Sequence, residues 1–288
     1  MNSIEIKNLS FSYGKKAVLN NINLNITNGL YGLLGKNGAG KTTLMKLIVA
    51  LLPVTKGQIN ICGQTNPKEI RKIVGYLPQD FDFYPDMKIK ESLIYLGLLD
   101  EIKKSELDQR IDKLLEIVNL TNDQDKKIKS LSGGMKRRLG IAQSLLNNPK
   151  ILVVDEPTAG LDPEERIRFR NLLGDLSAEK IVLFSTHIAS DLESSANRLG
   201  ILDDGNFIYD GTVEDLLKEN STGSYKTIVD RKDFSKFKTE YIVFEQKELP
   251  EGILVSFIHN GRPKEEFERI PPSLESAYLM KLHERRFR

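Results

Sequence analysis

Near the start of the chain, Ile4 and Ile6, and then Ile22, Leu24 and Ile26, alternate with polar residues. A period of two is that of half-buried strands, so the pattern predicts an antiparallel edge. A short apolar strand then runs into residues 35–40, after which Leu44, Leu47, Ile48, Leu51 and Leu52 recur at helical spacing. Residues 57–63 and 73–77 read as two further strands. From residue 87 to 128 the pattern becomes charged and helical, with Leu93, Ile94, Leu96 and Leu98, then Leu107, Ile111, Leu114, Leu115 and Val118, which predicts a helical insertion. A helix with Leu139, Ala142, Leu145 and Leu146 on one face follows.

The run I-L-V-V-D (151–155) is continuously apolar until its acid, as in a parallel strand buried on both faces. Asp162, Pro163, Glu164 and Glu165 then mark a helix start: a cap, a proline at the first position and acids in the first turn. That helix is expected to bury Ile167, Phe169, Leu172, Leu173 and Leu176. Residues 181–184 read as another apolar strand, and residues 199–208 as a hairpin turning at D-D-G-N (203–206).

The whole-chain balance narrows the picture less. With 42 basic and 40 acidic residues the net charge is +2, which supplies no general attraction for nucleic acid or an anionic membrane. Cys62 is the single cysteine, so a disulfide framework and a cysteine-based zinc site are excluded, and a reducing compartment fits. His187, His259 and His283 are too scattered to suggest a metal cluster. The start M-N-S-I-E-I-K has no basic and apolar leader pattern, and no apolar run approaches the roughly 18 residues of a spanning helix. Any membrane part is expected on another chain.

The chemistry is concentrated in G-K-N-G-A-G-K-T-T (35–43), which contains G-x-x-x-x-G-K-[ST] between a strand and a helix. Gly35, Gly38 and Gly40 let successive N–H groups approach an anion, and the helix start adds its positive dipole end. Lys41 then reaches the β- and γ-phosphates of a nucleotide, and Thr42 offers its hydroxyl to Mg²⁺. Asp155 and Glu156 stand at the end of a central strand, where open α/β sheets bind ligands. Asp155 would hold Mg²⁺ through its water shell, and Glu156 would accept a proton from attacking water.

Other residues are more open to interpretation. Tyr13, beside a turn at F-S-Y-G (11–14), fits either a base-stacking ring or a core aromatic. Gln79, after a strand end, fits a Mg²⁺ or water contact or an ordinary loop. Ser132, Gly133 and Gly134 form a second anion-binding helix start. His187 reaches the same sheet edge as Asp155 and Glu156. The triplet Lys136, Arg137 and Arg138 reads as a solvated helix face with no nucleic-acid role.

Taken in order, G-K-N-G-A-G-K-T-T, Gln79, L-S-G-G-M (131–135), I-L-V-V-D-E-P (151–157), A-G-L-D (159–162) and S-T-H (185–187) resemble the six motifs of the ATP-binding subunit of ABC transporters, over about residues 4–217. The resemblance implies an α/β fold: a P-loop NTPase core of the ABC type, an antiparallel β subdomain, a helical subdomain over about residues 80–145, and a small α+β C-terminal extension. It implies ATP and Mg²⁺ as cofactors, with Gly35, Lys36, Asn37, Gly38, Ala39, Gly40, Lys41, Thr42 and Thr43 around the phosphates. Tyr13 becomes the adenine-stacking ring, Gln79 the Mg²⁺ and water sensor facing the permease, Glu156 the general base and His187 the γ-phosphate clamp. Thr42, Gln79 and Asp155 make up the metal set. Ser132, Gly133 and Gly134 would bind the γ-phosphate held by the opposite subunit, and Asp162 lies in the loop crossing the dimer. Met135 departs from the common Gln of the signature, and A-G-L-D from the common S-A-L-D.

The implied protein is a cytoplasmic ATPase, a homodimer on the inner face of the membrane, coupled to a separate permease. The alternative is a soluble ABC-type ATPase acting on nucleic acid or ribosomes. The long coiled coil or paired cassettes of such members do not occur here. The implied domains are residues 1–217, which bind ATP, and an accessory extension, 218–288. In the extension, residues 241–244 and 253–258 read as strands around P-E-G (250–252), with a helix after Pro271 and Pro272. They look too short for a core of their own. The S-L-E-S-A-Y-L ending (273–279) resembles the subgroup that energises two-component exporters of drugs, antibiotic peptides or lipids, and Arg285, Arg286 and Arg288 read as a solvated end.

Overall fold

β1 (Ile4–Tyr13) and β2 (Lys16–Ile26) form an antiparallel hairpin in which Ile4 faces Ile26 and Ile6 faces Leu24. The alternation seen in the sequence puts Ile4, Ile6, Ile22, Leu24 and Ile26 into the core. After β3 (Gly29–Leu34) and α1 (Lys41–Ile48), β4 (Lys56–Ile61) adds to the other side of β1, giving the order β2-β1-β4. The computed structural model describes residues 2–193, 195–220, 223–259, 261, 264 and 266–286. The chain divides into two units, Met1–His187 with Leu202–Phe207, and Ile188–Ile201 with Ile208–Arg288.

In the first unit the chain continues through α2 (Pro67–Ile73), β5 (Val74–Leu77), α3 (Ile89–Leu99), α4 (Lys104–Ile117), α5 (Gly133–Ser144), β6 (Ile151–Asp155), α6 (Pro163–Ser177) and β7 (Ile181–Thr186). β5, β6, β7 and β3 are parallel neighbours in that order, and β6 and β7 are buried at every position, as their continuous apolar runs require. Their register sets Asp155 against Ser185 and Leu34 against Thr186. The carboxyl ends of four strands therefore line up, and residues 35–40, Gln79, Glu156 and His187 all leave the sheet at that edge. The helical insertion stands as read, as α3, α4 and two short 3-10 turns.

Two local expectations change. The strand expected from residue 73 is preceded by α2, which Asn66 caps by accepting the Lys68 N–H at 2.9 Å, with Pro67 at the first position. In α6, Phe169 and Leu173 are buried, whereas Ile167 is 50% exposed. At about 100° per residue, Ile167 lies two steps from Phe169 and so on the opposite side of the helix.

The second unit contains α7 (Ser190–Glu193), most of the β8 (Arg198–Asp203) and β9 (Asn206–Thr212) pair, α8 (Val213–Glu219), β10 (Ser224–Val229), α9 (Phe234–Glu240), β11 (Ile242–Leu249), β12 (Gly252–Ile258), β13 (Glu268–Arg269) and α10 (Leu274–Arg286). An antiparallel sheet has the order β11-β12-β10-β13. Contrary to the expectation that these strands could not form a core, Tyr225, Val229, Ile253, Val255, Phe257 and Phe267 make a hydrophobic cluster with Phe234 and Phe237 of α9 packed on it. Strand β10, which the pattern did not reveal, supplies the missing wall. α10 buries Leu274, Ala277 and Met280, and its Ser276 accepts a hydrogen bond from Ser224 at 3.1 Å. Arg288 lies outside the described residues. Among the described residues, no helix is long and apolar enough to cross a membrane.

Candidate functional site

The loop between β3 and α1 ends at Gly40, whose φ of 110° is a conformation that side chains with a Cβ rarely adopt. A Cβ there would also press on Leu19 and the Val18 carbonyl. Among the described residues no side chain caps α1, so its first N–H groups are available to an external acceptor. The loop borders a cleft of about 710 Å³ lined by Tyr13, Lys16, Val18, Asn37, Gly38, Gly40, Lys41, Thr42, Thr43, Gln79, Glu156, Asp204 and Gly205.

Lys41 is only 4% exposed and points inward, with Nζ donating to the carbonyls of Gly35 (2.6 Å) and Lys36 (3.1 Å). Its third neighbour is Glu156 Oε1, at 3.0 Å. The other oxygen, Oε2, lies 3.0 Å from His187 Nδ1, so one carboxylate joins the phosphate-loop lysine to the imidazole. Glu156 has a φ of 45°, unusual for a residue with a side chain, and this left-handed step follows directly on the end of β6. Ser185 holds the step in place. Its hydroxyl accepts the Glu156 N–H at 2.9 Å and donates to Asp155 Oδ1 at 2.6 Å.

Asp155 is fully buried, and its second oxygen, Oδ2, has no hydrogen-bond partner among the described residues. A buried anionic oxygen without a donor is costly unless a cation or its water shell completes it. With the Thr42 hydroxyl in the adjoining cleft, the donors are all hard oxygens and fit Mg²⁺. At the cleft mouth, Lys36 lies 3.1 Å from both Asp203 and Asp204, and the Asp204 carboxylate, with Asp203 beside it, holds the ammonium above its ordinary pKa.

The two aromatics near the first turn separate cleanly. Phe11 is buried, whereas Tyr13 is 48% exposed at the cleft and meets Phe11 edge-on with ring centroids 5.0 Å apart. Among the other candidates, Gly35, Lys36 and Ala39 lie in the loop itself. Ser132, Gly133, Gly134 and Asp162 do not line this cleft. Ser132 caps α5 by accepting the Met135 N–H at 3.2 Å, and a Cβ on Gly133 would meet nothing. Gly134 packs against the Glu165 carboxylate, and Asp162 caps α6 through the Glu165 N–H at 2.9 Å.

Residues that motif reading did not assign also belong to this region. Ser185 was visible only as part of S-T-H, and its register against Asp155 gives it its role. The basic triplet is not simply a solvated face. Arg138 donates to the carbonyls of Val118 (3.1 Å) and Asn119 (2.8 Å) and lies 3.4 Å from Glu165, while Arg137 reaches the Gln79 carbonyl at 2.7 Å.

The family described as ABC transporter matches residues 19–159. An uncharacterized ABC transporter ATP-binding protein of Bacillus subtilis (strain 168), YxlF, is 33% identical over 97% of this chain and 99% of its own. The Nod factor export ATP-binding protein I of Cupriavidus metallidurans is 36% identical over 74% of this chain and 72% of its own. Among solved structures, cbiO1 from Clostridium perfringens, part of the ABC transporter complex cbiONQ, has a TM-score of 0.70 and 25% identity, covering 75% of this chain and 90% of that one.

Proposed function

The chain belongs to the ABC transporter ATP-binding proteins, and we propose that it pairs head to tail with a second copy around two Mg-ATP molecules and drives a separate membrane permease in export. Its general activity is ATP hydrolysis. The alternative, an ATPase acting on nucleic acid or ribosomes, finds no support among transporter relatives. The direction of transport is inferred from the Nod factor export relative. The chain would sit on the inner face of the membrane through the permease, with residues 1–217 doing the nucleotide work and 218–288 accessory to it.

The observation that carries this reading is one cleft uniting Tyr13, Lys41, Thr42, Gln79 and Glu156. In it Tyr13 stacks on adenine, and the loop N–H groups with Lys41 cradle the phosphates. Thr42, Asp155 and Gln79 would hold Mg²⁺, which supplies positive charge to the β- and γ-phosphate oxygens. Glu156 takes a proton from water as its oxygen bonds to the γ-phosphorus, and the bond to the β-phosphate oxygen breaks to leave ADP and phosphate. His187 orients Glu156 through the 3.0 Å contact and would clamp the γ-phosphate. To drive a dimer from 1:99 to 99:1 closed, nucleotide must favour the closed form by about 5.5 kcal/mol. Two triphosphates, each contacted from both chains, supply that difference.

Glu156→Gln tests the chemistry. It keeps the shape and loses the base, so turnover should fall by about 10²- to 10⁴-fold while ATP still binds. Near-native hydrolysis would reject Glu156 as the base. Detergent-solubilised membranes should in turn yield a polytopic protein on affinity purification of the native chain.

A further inference from the structure

We infer that Arg137 and Gly140 of α5 form a socket for Phe81 that fixes the position of Gln79, making Arg137 a positioning residue of the hydrolytic site. The inference rests on the reading above that Gln79 serves the reaction, and it extends that reading to how Gln79 is held and what moves it.

Gln79 itself is exposed, and the stretch after β5 has no regular secondary structure, so its own backbone does little to keep it in place. α5 supplies what the stretch lacks. Arg137 Nη1 donates to the Gln79 carbonyl at 2.7 Å, and the guanidinium carbon lies 5.3 Å from the centroid of the Phe81 ring. That distance is within the range of an attractive contact between a cation and an aromatic face. One turn farther along the same face, Gly140 leaves the room that Phe81 fills, since a Cβ there would collide with Leu77 and press on the Phe81 ring. Arg137 and Gly140 are three apart and therefore neighbours on the helix surface. The first part of the stretch is thus held at two points, a carbonyl and a ring, by a single helix.

This is also the helix that Ser132 caps. Any shift of α5 that accompanies engagement of Ser132 with a phosphate is passed to Gln79 through Arg137, within one rigid element. An arginine suits the task because its planar group can donate in its own plane while stacking by its face, which a lysine cannot do. Burial draws the Arg137 pKa down, with the Asp80 carboxylate opposing, consistent with a guanidinium that is partly withdrawn from water.

The test uses the full chain with Arg137→Met, Arg137→Lys and Gln79→Ala. Limited cleavage by chymotrypsin after Phe81 and Phe83 should quicken at least tenfold in Arg137→Met and by less in Arg137→Lys, with cleavage elsewhere in the chain unchanged. In steady-state hydrolysis, Arg137→Met should lower kcat at least tenfold, with KM for ATP within threefold. Added to Gln79→Ala, it should lower kcat less than twofold further, because a residue acting through Gln79 has nothing left to act on. Unchanged cleavage after Phe81 and Phe83 would overturn the socket. An equal loss of kcat on both backgrounds would overturn the positioning role, since a purely structural defect acts regardless of Gln79. Native turnover by Gln79→Ala would instead refute the assignment of Gln79, and with it any catalytic purpose for the socket.

Discussion

Lys41 Nζ and Glu156 Oε1 form an ion pair at 3.0 Å with side chains 4% and 8% exposed, joining the phosphate-loop lysine to the acid assigned as base. Breaking a buried pair from one side strands a charge, at about 3–5 kcal/mol. Here His187 still faces Glu156, so Lys41→Met should cost near the lower end of that range. Lys41→Met with Glu156→Gln should recover at least half of the loss, because no charge is then stranded. Urea unfolding of the four chains measures this, and strictly additive losses would show that the pair is not coupled. The same contact predicts that Glu156→Gln binds ATP at least as tightly as the native chain, since phosphate no longer competes with the carboxylate for Lys41.

Ser185 makes two buried hydrogen bonds from one hydroxyl, to the Glu156 N–H and to Asp155 Oδ1. Ser185→Ala leaves a donor and a carboxylate oxygen unsatisfied together, which should destabilise the fold by about 2–4 kcal/mol. Turnover should fall as well, since the left-handed step at Glu156 loses its anchor. Thermal unfolding and kcat check both effects. A stable variant with slow turnover would place the role of Ser185 in positioning alone, whereas a stable and fully active one would show the two bonds to be dispensable.

Phe257 is fully buried at the centre of an aromatic cluster in the second unit, with Phe267 at 4.8 Å and Phe237 at 5.0 Å between ring centroids. Phe257→Ala should cost about 3–5 kcal/mol in that unit's core. The nucleotide cleft draws no residue from this cluster. ATP affinity should therefore stay within twofold below the melting temperature, while calorimetry records a transition shifted downward. A tenfold loss of ATP affinity in the folded variant would contradict an accessory role for residues 218–288.

The phosphate loop was legible in the sequence because its chemistry demands particular residues at fixed spacing: glycines where N–H groups must approach an anion, then a lysine and a threonine at a helix start. Buried strands β6 and β7 were legible from unbroken apolar runs. What escaped detection depended on tertiary partners. Strand β10, S-Y-K-T-I-V, mixes polar and apolar residues without clean alternation, and it is the pairing with β12 and β13 on either side that makes it a strand. α2 is seven residues long, too short for periodicity to declare itself. Arg137 looked like any surface arginine, because its partners lie 58 and 56 positions earlier in the chain, at Gln79 and Phe81.

The placement of Ser132 leads to the last prediction. It caps α5 and stands outside the cleft that contains Lys41, so the chain carries a second helix start suited to anions away from that cleft. If Ser132 serves the ATP held by a second copy, Lys41→Ala and Ser132→Arg homodimers should each lack an intact site. Co-expression yields mixed dimers in which one site joins a native Lys41 to a native Ser132, while the opposite site carries both lesions. Hydrolysis should then reappear on mixing, to as much as half the native rate per mixed dimer if the sites act independently. Where the sites are coupled, vanadate trapping of nucleotide at the intact site provides the readout in place of turnover. If Ser132 served its own chain, each chain would bring a broken site and mixing would restore neither signal, so mixed dimers with no hydrolysis and no trapped nucleotide would reject the shared site.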